Sequence, residues 1–143
     1  MKADVKQFVL DASMAVAWCF PDEATPFTEG VLRLFARGAE AITPGIWPLE
    51  VANALVLGER RKRISMAQIT VLLNRIARLA ISVEGSDPAR SFTEIFAIAR
   101  QEHLTAYDAA YAELALRLAL PLATLDEDLQ RAARRAGIML VSI

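Results

Sequence analysis

The sequence predicts an α/β fold: a three-layer α/β/α sandwich with a mainly parallel central sheet of about five strands, built as one domain over residues 1–143. Three observations lead there. Five short apolar runs rich in β-branched or aromatic residues recur along the chain, and segments with helical spacing lie between them. No repeat, low-complexity tract or Gly/Ser linker breaks the alternation. Strands alternating with helices form βαβ units, whose right-handed crossovers cover a parallel sheet on both faces.

The first strand is read at Phe8-Val9-Leu10. The helix over residues 26–37 begins at Pro26 and is stopped by Gly38 in a C′ position, ahead of a second strand at Ala41-Ile42-Thr43. A capping box, Ser65-Met66-Ala67-Gln68, opens a helix that carries Ile69, Leu72, Leu73 and Ile76 on one face. A third strand follows at Ile81-Ser82-Val83. Asp87-Pro88 pairs an N-cap with a proline at the first helical position, so a helix is expected through about Arg100. The fourth strand is read at Leu122-Ala123-Thr124. The last helix, residues 127–136, ends at Gly137, and the fifth strand is read at Met139-Leu140-Val141-Ser142.

Composition narrows the function. Hydrophobic residues make up 55% and charged residues 23%, which excludes intrinsic disorder, and no apolar run is long enough to span a membrane. The start, Met1-Lys2-Ala3-Asp4-Val5-Lys6, lacks a secretory pattern, so a cytoplasmic address is expected. One cysteine (Cys19) excludes an internal disulfide and a thiolate metal cage, and one histidine (His103) excludes a multi-histidine zinc site. With 16 basic against 17 acidic residues the net charge is −1, which is not the footprint of a protein that coats nucleic acid. The high apolar fraction points to an oligomer or a partner-covered face.

Four acids stand in informative places. Asp11 follows the first strand and Asp126 follows the fourth. Ligand sites in open parallel sheets lie at the carboxyl ends of strands where the strand order reverses, so these two meet if the two strands are neighbours. Glu50, in Pro48-Leu49-Glu50-Val51-Ala52-Asn53, and Asp108, in Thr105-Ala106-Tyr107-Asp108-Ala109-Ala110-Tyr111, lie near helix starts among apolar residues. There a lone carboxylate is costly to desolvate. Each acid taken singly also fits an ordinary helix cap or first-turn position. Capping does not explain two acids at strand ends of one sheet. If the four converge they need a cation, and an all-oxygen set selects Mg²⁺ or Mn²⁺ over zinc. Such a site activates water and neutralises a phosphodiester, which is nuclease chemistry.

These segments, in this order and over nearly the whole chain, resemble the PIN-domain ribonucleases, and within them the VapC-type toxins of toxin–antitoxin pairs. The resemblance implies that Asp11, Glu50, Asp108 and Asp126 are the acidic metal-binding and catalytic set. It makes Ser13, Asn53, Thr124 and Asp128 supporting, substrate-contacting or additional metal-binding residues. It further implies Mg²⁺- or Mn²⁺-dependent endoribonuclease activity on RNA, in a homodimer neutralised by a small cognate antitoxin. The alternatives are a catalytically silent domain of the same fold, or a relative acting on structured DNA or precursor ribosomal RNA.

Other features have plainer readings beside functional ones. Arg60-Arg61-Lys62-Arg63 ends the helix that starts near Glu50 and offsets its dipole, with RNA contact as the alternative. Arg131, Arg134 and Arg135 read as a solvated face, His103 as a capping or surface residue, and Cys19 as core. The apolar helix after Trp47 and the face carrying Ile69, Leu72, Leu73 and Ile76 form core, or a groove for an antitoxin segment. Trp18, Trp47, Tyr107 and Tyr111 are the rings near the motifs that could stack on bases, though core positions are the commoner fate. A phosphatase would want a second acid where Ser13 stands, and a receiver domain a strand-end lysine, whereas the lysines are Lys2, Lys6 and Lys62. With the four site acids set aside, 13 acidic residues face 16 basic ones, so the remainder carries a formal +3.

Overall fold

The computed structural model describes residues 4–143; the first three residues, part of the start from which a cytoplasmic address is expected, lie outside the described residues. Among these the chain runs β1 (Gln7–Leu10), α1 (Ala12–Cys19), a 3₁₀ turn (Pro21–Glu23), α2 (Pro26–Ala36), β2 (Glu40–Thr43), α3 (Trp47–Arg60) and α4 (Met66–Ala77). It continues with β3 (Ile81–Val83), α5 (Pro88–Arg90), a π-helical stretch (Ser91–Ile95), α6 (Phe96–Glu102), α7 (Ala106–Leu118), β4 (Leu122–Ala123) and α8 (Glu127–Ala136).

The strands pair in parallel in the order β3-β2-β1-β4. Going from β1 to β3 the chain moves one way across the sheet, and β4 returns to the other side of β1. Right-handed crossovers therefore put α1–α4 on one face and α5–α8 on the other, which is the expected three-layer sandwich. β1 lies centrally, and its Phe8, Val9 and Leu10 have no solvent exposure, as a strand covered on both faces requires. Behind it the Phe8 and Phe35 rings pack with centroids 5.5 Å apart, and the Trp18 indole donates 2.9 Å to the Thr28 carbonyl.

The expected fifth strand is present only as a single parallel bridge, Leu122 to Leu140. The reason is the brevity of β4. Pro121 offers no N–H, and after Ala123 the chain turns to start α8, so two residues of strand give an edge partner one rung to hold. Thr124, read as strand, is buried in that turn instead.

The caps follow the sequence. Ser65 and Gln68 form the reciprocal box, Asp87 accepts from the Ala89 and Arg90 amides, and Gly137 takes the left-handed conformation with φ 78°. His103 ends α6 in the same region with φ 55°. Cys19 is buried, and desolvation pushes its thiol up to about 11. The basic run divides: Arg63 bonds Asp22 and Glu23 and lies 4.2 Å over the Phe20 ring, so it ties the 3₁₀ turn to the end of α3.

Candidate active site

The break in strand order falls between β1 and β4, so the two strand-end acids emerge side by side. Asp11 directly follows β1, and its amide donates 3.0 Å to the Ala123 carbonyl of β4. Asp11 is 4% exposed. It occupies the N-cap position of α1 and yet makes no side-chain capping bond. Its Oδ2 instead accepts two hydroxyl protons, from Ser13 at 2.6 Å and Thr124 at 2.7 Å.

Each hydroxyl is itself fixed from behind. The Leu125 amide donates to Ser13 Oγ and the Asp126 amide to Thr124 Oγ1, both at 3.0 Å. Two amides of the β4–α8 turn thus reach one carboxylate oxygen through two hydroxyl relays. Gln130 Nε2 holds the Thr124 carbonyl at 2.9 Å. The turn and the acid are locked together, and a swap of either hydroxyl for an apolar group would release both ends of a relay.

The remaining acids come from three helices. Asp126 does cap α8, accepting from the Leu129 amide at 2.8 Å through Oδ1. Asp108 sits in the first turn of α7, where Thr105 is the cap and accepts from the Asp108 amide at 3.1 Å. Glu50, in the first turn of α3, accepts from the hydroxyl of Tyr111 at 2.7 Å. Asn53 lies exposed on α3 one turn further on. Asp128 points outward into an ion pair with Arg131.

The acids sense one another. Asp11 is held above the usual carboxylate range by burial first, with the Ser13, Thr124 and Ala12 hydrogen bonds working against it and the Asp126 charge adding to it. Burial also raises Glu50, opposed by the Tyr111 bond and reinforced by Asp11 and Asp108. Asp108 is pushed up to about 6, by burial and then by Asp126 and Asp11, while Asp128 adds only the weakest push. All-carboxylate donors whose charges burden one another fit a hard dication. Among the described residues, no three acidic, histidine or cysteine side chains stand close enough together to hold a metal ion as they are placed.

This electrostatic burden has a measurable consequence. A carboxyl whose folded pKa is raised favours folding below its unfolded pKa and opposes it once ionised. Unfolding free energy in metal-free buffer is therefore expected to fall as pH rises from 3.8 to about 6, the Asp108 window. Discounted for partial exposure, this acid contributes about 1 kcal/mol. Urea titrations across that range check it, and a flat profile that Mg²⁺ leaves unchanged would refute mutual repulsion.

Two partners escaped the sequence. Tyr111 is fully buried, and its hydroxyl finds Glu50, the carboxylate in the first turn of α3; it stands three positions after Asp108, so it shares that helix face. A buried tyrosine needs a hydrogen-bond partner, which was the available signal. Gln130 gave none. Of the rings considered for stacking, Trp47 and Tyr111 are buried and Trp18 is half-buried against Phe35, whereas Tyr107 is 60% exposed.

Comparison with known proteins agrees with this architecture. Ribonuclease VapC3 of Pyrobaculum aerophilum is 29% identical over 123 residues, covering 86% of this chain and 92% of its own length. The crystal structure of PAE2754 from Pyrobaculum aerophilum superposes with a TM-score of 0.68 at 23% identity, covering 90% of this chain and 85% of that one, a likeness of fold. The PIN domain family model matches residues 8–135, from the first strand to the last helix, and the chain belongs to the PIN domain family.

Proposed function

We propose that this chain is a Mg²⁺- or Mn²⁺-dependent endoribonuclease acting as the toxin of a type II toxin–antitoxin pair. The observation that carries the reading is Asp11: a buried strand-end carboxylate at the break in strand order that caps nothing and is held by two hydroxyls. A buried carboxylate that caps no helix, beside three more acids, is what a cation site needs. The similarity to a VapC ribonuclease supports RNA as substrate and a small antitoxin as partner.

Asp11, Glu50, Asp108 and Asp126 would hold the ion. When bound, it supplies positive charge for the phosphodiester and a water of lowered pKa to attack it. The protein's own part is to preset the ligands. Ser13 and Thr124 fix one oxygen of Asp11, so its orientation costs nothing at the moment of reaction; Tyr111 does the same for Glu50. Asp126 divides its carboxylate between capping α8 and facing the cluster.

The partners have candidate surfaces. An apolar groove of about 400 Å³ runs between the end of α1 and α4, lined by Trp18, Ile64, Val71 and Leu72 with Arg75 at its rim, which suits an antitoxin segment. Phe92 and Phe96 are exposed four residues apart on one helical face and support a homodimer. Among the described residues, no helix is long and apolar enough to cross a membrane. A cytoplasmic address belongs to the same reading.

Antitoxin-free protein is expected to cut unstructured RNA with Mg²⁺ or Mn²⁺, to stop with EDTA and to resume when the metal is restored. Cleavage indifferent to EDTA, or none under any divalent metal, would overturn the reading.

A further inference from the structure

Resting on the nuclease reading, we propose that the cavity beside Tyr107 is a nucleobase subsite, in which a base of single-stranded RNA next to the scissile phosphate stacks on the Tyr107 ring. The cavity is about 630 Å³, within the ~300–1,000 Å³ usual for ligand pockets. It lies between α7, the loop joining β2 to α3, and the segment that runs from the end of β3 into the π-helical stretch. Ala106, Tyr107 and Ala110 lie on its α7 side, Pro44, Gly45 and Ile46 on a second, and Glu84, Asp87 and Arg90 on the third.

Three observations select a base as the occupant. The first is the ring itself. Tyr107 is 60% exposed, and Ala110, three residues on along the same helix face, leaves room for a flat group against it. The second is charge. The guanidiniums of Arg90 and Arg117 line the cavity, but they face three carboxylates there. Arg117 Nε lies 2.7 Å from Glu113, Arg90 Nη1 lies 3.0 Å from Glu84, and Arg90 Nη2 stands 3.7 Å from Asp87. With two cations engaged by three anions no positive charge is spare, so a phosphate is disfavoured and a neutral aromatic group is not. The third is place. Tyr107 immediately precedes Asp108, and Ile46 immediately precedes the helix that carries Glu50. A base against Tyr107 therefore has its backbone phosphate at the edge of the acidic cluster. The Gly45 wall is close-built, since a Cβ there would meet the Glu84 carbonyl at 3.1 Å.

Stacking is tolerant of base identity and needs an unpaired strand, so the subsite selects single-stranded over duplex RNA. The test is fluorescence anisotropy with a short unstructured RNA, with Ca²⁺ in place of Mg²⁺ to suppress cleavage. Tyr107→Ala is expected to weaken binding about 5- to 150-fold, the value of one base–aromatic stack, and Tyr107→Phe to recover it. An abasic nucleotide walked along the RNA should reproduce the loss at one position with the wild-type protein. It should cost nothing further with Tyr107→Ala, because the two changes remove the same contact. If wild type binds RNA but neither the substitution nor any abasic position matters, or if Tyr107→Phe is as weak as Tyr107→Ala, the subsite is refuted while the nuclease reading stands. If wild type fails to bind or cut RNA under any divalent metal, the nuclease reading falls and takes the subsite with it.

Discussion

Asp11→Asn is expected to abolish RNA cleavage and, in metal-free buffer near neutral pH, to make the protein more stable. The two effects have one origin. Asn matches Asp in shape, and its carbonyl oxygen can still accept from Ser13 and Thr124, so the relays from the β4–α8 turn survive. What disappears is a buried negative charge. Burial is the main reason that Asp11 resists ionisation, and the Asp126 charge adds to it. Because the folded pKa is raised, the charged form opposes folding at neutral pH and the opposition vanishes in acid. Neutralising the group should add on the order of 1 kcal/mol to unfolding free energy at pH 7 and nothing below its unfolded pKa. Activity should move the other way, by well over the ~100-fold that loss of an outer partner to a metal ligand typically costs. Chemical denaturation at two pH values and a cleavage assay on the same preparation test both halves. Full activity in Asp11→Asn would remove Asp11 from the reaction, and a clear loss of stability would mean that the charge has a structural task after all.

Such a trade of stability for function also explains what could be read from the sequence. Phe8-Val9-Leu10 is legible as a central strand because a strand covered on both faces must be apolar throughout, and the acid after it is legible as a site because strand ends face the crevice. Asp126 satisfied two rules at once, and the structure shows that one of them, capping, does hold for it. The fifth strand was legible only in part because its pairing depends on the length of its neighbour: Met139-Leu140-Val141 has strand composition and Leu140 does pair, but β4 offers a single rung. The basic run was half legible. Its dipole position can be counted along a helix, whereas the bonds from Arg63 to Asp22 and Glu23 join segments about forty residues apart. The same separation hid the partner of Glu50, which lies 61 residues away on a helix packed from the opposite face of the sheet.

That partner allows a prediction in which structural and chemical roles separate. Tyr111 is completely buried in the core, and its hydroxyl donates to Glu50 Oε1 at 2.7 Å. Tyr111→Ala removes the ring and should cost about 3–5 kcal/mol, as truncation of a buried aromatic does. For a domain of this size that is a large share of total stability. Tyr111→Phe keeps the ring and deletes one oxygen. Glu50 is only partly buried and can take a water in exchange, so the stability cost should stay near 1 kcal/mol. Its orientation, however, is no longer imposed, and divalent-metal affinity or kcat should fall about 10- to 100-fold, the usual cost of losing the group behind a ligand. Mn²⁺ titration followed by electron paramagnetic resonance reads the metal affinity without any turnover, and thermal unfolding reads the packing. A purely structural tyrosine predicts that Tyr111→Phe binds Mn²⁺ like wild type and differs only in melting temperature. A positioning tyrosine predicts nearly normal melting with weakened metal binding, and in that case Glu50→Gln combined with Tyr111→Phe should bind no more weakly than Glu50→Gln alone, because both changes act through one carboxylate.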